Sequence, residues 1–180
     1  KYPLCYATHR TLDGLLDLRK EHGITLADVE RVEIETSPGA LVPLIHHRPT
    51  TGLQGKFSLE YAVVAALLDG QIGLATFKDE NVQRAAVQNF LPFVQGRSAQ
   101  GESIMPRWAF VNVYLRDGKR LERRIDALRG SASLPLTDEE LMLKAADCCG
   151  WAGLQGDAGA LLAVASDPKA RAGDFLAIVR

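Results

Sequence analysis

No apolar run in this 180-residue chain reaches the roughly 18 residues that a membrane-spanning helix requires. The longest candidate, residues 61–68, has the length of a buried helix. A basic excess is also lacking. Lys plus Arg (21) nearly balances Asp plus Glu (22), giving a net charge of −1, which argues against a dedicated nucleic-acid or membrane-surface protein. Cysteine is scarce, at three residues with no CxxC spacing, so neither a disulfide framework nor a zinc site is indicated. Cys148 and Cys149 are adjacent, and the pair is expected to pack as small apolar groups on a helix. Free thiols point to a reducing compartment, the cytoplasm by default. No GxSxG, Walker A or GxGxxG sequence occurs, leaving nucleotide-dependent chemistry without support. An initiator Met and a leader are missing too, and Lys1 is expected to mark a cut within a longer chain.

What remains is an ordinary globular composition, 47% apolar and 24% charged, with length for one domain and a sizeable core. Leu12, Leu15 and Leu16 give the i, i+3, i+4 stripe of a helix over residues 11–22, stopped by Gly23. Thr25 is placed to cap a short turn. Val32 and Ile34 then alternate with Glu33 and Glu35, the period-two signature of a half-exposed strand over residues 29–36. Residues 37–55 carry three prolines and three glycines, which excludes a regular element across the whole stretch. Ser58 is a good N-cap for a helix over residues 59–69 that Gly70 ends. That helix is apolar nearly all round and must be covered on several sides. A further helix is expected over residues 79–90, ending before Pro92. Strands over residues 108–115 and 119–127 flank Asp117-Gly118, a type I′ hairpin signal. Thr137 and Glu140 form a capping box for another helix, and residues 150–180 suggest one or two short helices. The pattern fits an α+β two-layer sandwich: a mostly antiparallel sheet with helices on one face, plus a C-terminal helical segment from about residue 137 to 180. Residues 1–180 read as a single domain.

Chemistry-bearing residues gather in two places. Lys1, Tyr2, Cys5, Tyr6 and His9 lie just before a helix N-terminus, where free N–H groups and the macrodipole attract carboxylates. A histidine there can serve as acid or base near neutral pH. The alternative is that His9 merely caps the helix start and Tyr6 packs. His46 and His47 occupy the long loop. Adjacent histidines point apart in an extended segment, so no metal site is expected. No carboxylate partner is evident near them, and solvated loop histidines are the plain reading. Residues 97–129 hold eight basic against four acidic residues. That surplus either attracts anions or forms ion pairs on a solvated hairpin.

Two stretches resemble the MmgE/PrpD family. Tyr2-Pro3 followed by Cys5, His9 and Asp13 is similar to the family's aromatic-Pro pair, its His, and a helix opening with Asp and a small residue. The run from Gly55-Lys56-Phe57-Ser58 through Tyr61 to Leu68-Asp69-Gly70 resembles its Phe-Ser-x-x-Tyr helix ending in Leu-Asp-Gly. The order, the separation and the later Asp-Gly hairpin also match, up to about residue 150. The family includes 2-methylcitrate dehydratase, cis-aconitate decarboxylase and an iminodisuccinate epimerase. The resemblance implies the smaller, lid-like C-terminal domain of such an enzyme, with a helical N-terminal domain outside this sequence forming the other wall of the site. It further implies cofactor-independent proton chemistry on a di- or tricarboxylate, a homodimeric whole protein and an inactive isolated fragment. His9 matches a family histidine and is the expected catalytic residue. Lys1 stands near the family's cleft lysine. Cys5 or Tyr6 stands where some decarboxylases carry a second histidine. With His46 and His47, which match no family position, Lys1, Cys5 and Tyr6 make up the expected substrate-binding set. A non-catalytic binding module that keeps the fold is the reading from another class.

Overall fold

A computed structural model describes residues 1–102, 104–154 and 157–178. The chain runs α1 (His9–His22), β1 (Val29–Thr36), α2 (Gly52–Gly55), α3 (Leu59–Asp69), α4 (Asp79–Val82), α5 (Ala85–Phe90), β2 (Val94–Ser98), β3 (Ala109–Leu115), β4 (Arg120–Ile125), α6 (Asp138–Trp151), α7 (Ala158–Ser166) and α8 (Ala172–Ile178). The four strands form one sheet in the order β2-β1-β3-β4. β1 pairs β2 in parallel, while β1–β3 and β3–β4 are antiparallel. The α+β architecture read from the sequence is thus the observed one, and residues 155, 156, 179 and 180 of the expected C-terminal helices lie outside the described residues.

The core follows the sequence periodicities. Val32, Ile34, Val111 and Val113 are buried on the sheet face that α1 and α3 cover. α1 can lie this close because Gly14 has no side chain: a Cβ there would sit 2.2 Å from Ile125 Cδ1. α3 is buried along residues 59–67, as its all-round apolar character requires. Ser58 caps it through the Tyr61 N–H at 3.2 Å, and Gly70 closes it at φ 74°. On the opposite face the charged side chains pair among themselves. Arg31 stacks 3.5 Å from the Tyr114 ring centre, and Tyr114 Oη donates to Glu33 at 3.0 Å.

Two expectations need correction, and one strand was not expected. The helix expected over residues 79–90 breaks at Arg84, whose backbone is extended (φ −52°, ψ 133°). The Asn81 and Val82 carbonyls, acceptors in an unbroken helix, instead receive Arg84 Nε at 3.0 Å and Gln88 Nε2 at 2.8 Å. Meanwhile the Arg84 guanidinium forks onto Asp69 at 2.7 and 2.6 Å. The Asp117-Gly118 turn is not type I′, which needs positive φ at both central residues. Only Gly118 has positive φ there (86°), and its N–H donates to the Leu115 carbonyl at 3.0 Å, making a three-residue connection. Finally, β2 carried no sequence signal. Val-Gln-Gly-Arg-Ser offers the core one side chain, Val94, and the rest of this edge strand is exposed.

Among the described residues, no helix is long and apolar enough to cross a membrane. The local basic surplus is largely neutralised: Arg123 pairs with Glu21 and Asp17, Arg129 with Asp17, Arg124 with Asp126, and Arg120 with Glu122. Cys149 is buried as expected, whereas Cys148 faces solvent and lines a cavity.

Candidate functional site

The N-terminal segment is fixed from below. Tyr2 is buried, and its hydroxyl donates to Asp13 Oδ1 at 2.9 Å. Asp13 Oδ2 accepts the Arg129 N–H at 3.1 Å. Burial, reinforced by the Asp13 charge, pushes the Tyr2 phenol far above its ordinary range, so it stays a donor. Asp13 therefore ties the segment to α1 and to the turn that follows β4.

On this footing the aromatic and cationic groups form one continuous band. Lys1 Nζ lies 5.2 Å from the Tyr2 ring centre, and the Tyr2 and His9 rings meet edge to face at 5.3 Å. The His9 and Tyr6 rings are 5.4 Å apart. Arg107 and Arg10 carry the band on, their guanidinium carbons 5.6 and 6.0 Å from the Tyr6 centre. Three of the expected residues, Lys1, Tyr6 and His9, are thus brought together. Lys1 opens onto a cavity of about 670 Å3 between the N-terminal segment, residues 69–76 and α6. There Lys1 Nζ is held by Glu140 at 2.7 Å and Asp13 at 3.6 Å. The Lys1 hydrogen bond, opposed by some desolvation, holds the Glu140 carboxyl below its usual range.

His9 is only 7% exposed. Its Nε2 faces the Leu4 carbonyl at 3.3 Å, which places the proton there and leaves Nδ1 as the lone-pair nitrogen of the neutral ring. Burial is the largest influence and lowers its pKa below the ordinary value near 6.5, although the Leu4 carbonyl pulls the other way. An unfolded imidazole takes its proton near 6.5, the folded one only at lower pH. Between those two values the unfolded state binds more protons, so the His9 contribution to stability is complete above about pH 6.5 and lost as pH falls below it. The melting temperature of the wild-type chain is expected to drop between pH 7.5 and 5, and that of His9→Gln to drop less. Equal drops would assign the pH dependence to other groups.

Of the remaining expected residues, Cys5 and His46 are tied to adjacent carbonyls through the main chain, and among the described residues no hydrogen bond or ring contact joins His46 or His47 to the band. The Cys5 N–H donates to the Lys56 carbonyl at 3.0 Å, and the His46 N–H to the neighbouring Phe57 carbonyl at 3.2 Å. The Lys56–Phe57 step thus ties the N-terminal segment to the long loop at the start of α3. Contrary to expectation, His47 has a carboxylate partner. Its Nδ1 lies 2.7 Å from Glu60 Oε1, with the His47 side chain 77% exposed and that of Glu60 only 12%. Glu60 is steadied by Ser58 Oγ at 3.2 Å. That pair escaped sequence reading because its members lie 13 residues apart, one in a loop and one in the first turn of a helix. Nothing in the sequence brings together Arg10, of the N-terminal segment, and Arg107, of the basic stretch 97–129. Arg10 was visible in the N-terminal segment, but Arg107 reaches Tyr6 only after the unrecognised strand β2. Among the described residues, no group of three or more His, Cys, Asp or Glu side chains is placed to hold a metal ion.

Residues 2–164 match the MmgE/PrpD C-terminal domain. The chain is also similar to cis-aconitate decarboxylase of Mus musculus, at 26% identity over 155 residues. The alignment covers 79% of this chain and 30% of that relative, so the chain spans less than a third of the curated protein it matches.

Proposed function

The chain belongs to the MmgE/PrpD family, whose C-terminal domain spans residues 2–164, and from that premise we propose that it forms one wall of the substrate cleft of a cofactor-independent lyase or isomerase. Its substrate is a small di- or tricarboxylate, with dehydration of the 2-methylcitrate type as the leading reaction. The band Lys1–Tyr2–His9–Tyr6 carries this reading. It sets a desolvated, neutral imidazole between two phenols at the head of a helix. A proton next to a carboxylate is acidic enough to remove only when a positioned base and cationic groups stabilise the developing charge.

In this account His9 moves the proton. Tyr6, Cys5 and the His46–His47 loop shape the substrate's seat, and Lys1 is the cationic group at the cavity end. The helical domain that the family pairs with this one supplies the opposite wall, and the whole protein works as a homodimer. Full-length protein is expected to turn over at least one member of a panel containing 2-methylcitrate, citrate, cis-aconitate and iminodisuccinate, followed by proton NMR. Residues 1–180 alone are expected to turn over none. Turnover by the isolated fragment would overturn the two-wall site. Inertness of the full-length protein toward the whole panel would overturn the reaction class.

A further inference from the structure

Arg10 and Arg107 approach the same exposed phenol from different parts of the chain, the first turn of α1 and the segment leading into β3. Tyr6 is 49% exposed, so the ring they flank is reachable from solvent. Their lack of a carboxylate partner sets them apart from the other arginines of residues 97–129 except Arg116, whose Nε donates to the Ala27 carbonyl. Arg97, Arg120, Arg123, Arg124 and Arg129 each have a carboxylate within 3.0 Å. Neither Arg10 nor Arg107 has an acidic partner among the described residues; Arg10 spends only its Nε, on the Asp126 carbonyl at 3.4 Å. Both residues are partly buried while Arg10 Nε remains at the exposed surface, so their donors are open to an incoming anion. Two unneutralised cations beside one ring raise the local positive potential, and a bound anion relieves it. A guanidinium presents parallel N–H groups that match both oxygens of a carboxylate. The ring fixes the plane of the stacked group without using those donors.

We propose that Arg10 and Arg107, positioned by Tyr6, form a carboxylate clamp that binds a substrate carboxyl group remote from the reacting carbon and selects di- and tricarboxylates over monocarboxylates. The proposal rests on the cleft reading above, since the His9 ring lies 5.4 Å from the same phenol. It adds two specificity-determining residues that neither family motif contains.

Calorimetric titration of the full-length protein with citrate, and with propionate as the monocarboxylate control, tests it. Arg107→Met is expected to weaken citrate binding tenfold or more, and Arg10→Met combined with Arg107→Met about a hundredfold, in line with the loss of charge-assisted pairs. Propionate binding changes less than threefold, Arg107→Lys retains part of the citrate affinity, and melting temperatures stay near that of the wild type. Citrate affinity within twofold of wild type in Arg107→Met overturns the clamp. So does an equal loss for citrate and propionate, because the residue would then be structural or non-selective. If panel turnover persists in the wild type while Arg107→Met is unaffected, the clamp alone fails. A wild-type protein that neither binds citrate nor turns over the panel removes both claims.

Discussion

Gly52→Ala is expected to destabilise the chain by about 3 kcal/mol or more, the upper end of what overpacking a filled interior costs. A Cβ at this position would lie 1.7 Å from the Phe77 carbonyl oxygen and 2.6 Å from its carbon. The obstacle is backbone, so no rotamer change relieves it. The surroundings are fixed from several directions as well. The Gly52 N–H donates to Asp79 Oδ1 at 2.7 Å, the Phe77 ring packs against Tyr61, and the Tyr61 hydroxyl donates to the Thr76 carbonyl. Any relaxation must break one of these contacts. For a domain of this size the expected drop in melting temperature is on the order of 10 °C. Gly150→Ala is the control. It lies within α6 with nothing within 4 Å of a Cβ, and alanine there is expected to stabilise by about 0.5–1 kcal/mol. Urea unfolding of both variants measures the contrast. A Gly52→Ala midpoint equal to wild type would refute the packing of α2 against the Phe77 turn.

The largest effect on activity is expected at His9. In the full-length protein, His9→Gln should reduce turnover by about 100-fold or more, the scale of a positioned general acid or base. Glutamine keeps an N–H for the Leu4 carbonyl and fills much of the same space, so the fold survives while the transferable proton is lost. The effect belongs in kcat rather than KM, because the group acts on the developing charge and not on resting substrate. Steady-state kinetics with the panel substrate decides it. An unchanged rate would leave His9 as the spacer between Tyr2 and Tyr6, and the chemistry would then belong elsewhere in the cleft.

Much of this architecture was legible in the sequence because local rules and tertiary demands agree. β1 alternates Val and Ile with Glu, and it is buried on one face and polar on the other over the expected residues. α3 runs from its serine cap to its glycine stop with the expected bounds. The capping box of Thr137 and Glu140 is present. Legibility failed where side chains overrode local preference. Arg84 and Gln88 take the carbonyls that residues 79–90 would need for one continuous helix. β2 is held by its pairing to β1 rather than by any pattern of its own. The site divides in the same way. Lys1, Tyr6 and His9 lie within nine residues, and the turn from segment to helix was enough to suggest that they act together. The Glu60 carboxylate on His47 and the Arg107 guanidinium on Tyr6 depend on long-range packing, and the charge surplus of residues 97–129 could not say which cation remains unpaired.

The central claim, proton chemistry beside a carboxylate at the His9 band, is tested most directly by isotope release. Full-length protein dehydrating citrate deuterated on both methylene carbons is predicted to release one deuterium to water per turnover, and His9→Gln to slow that release in step with turnover. Conversion with all deuterium retained, or release at the wild-type rate in His9→Gln, would contradict the account.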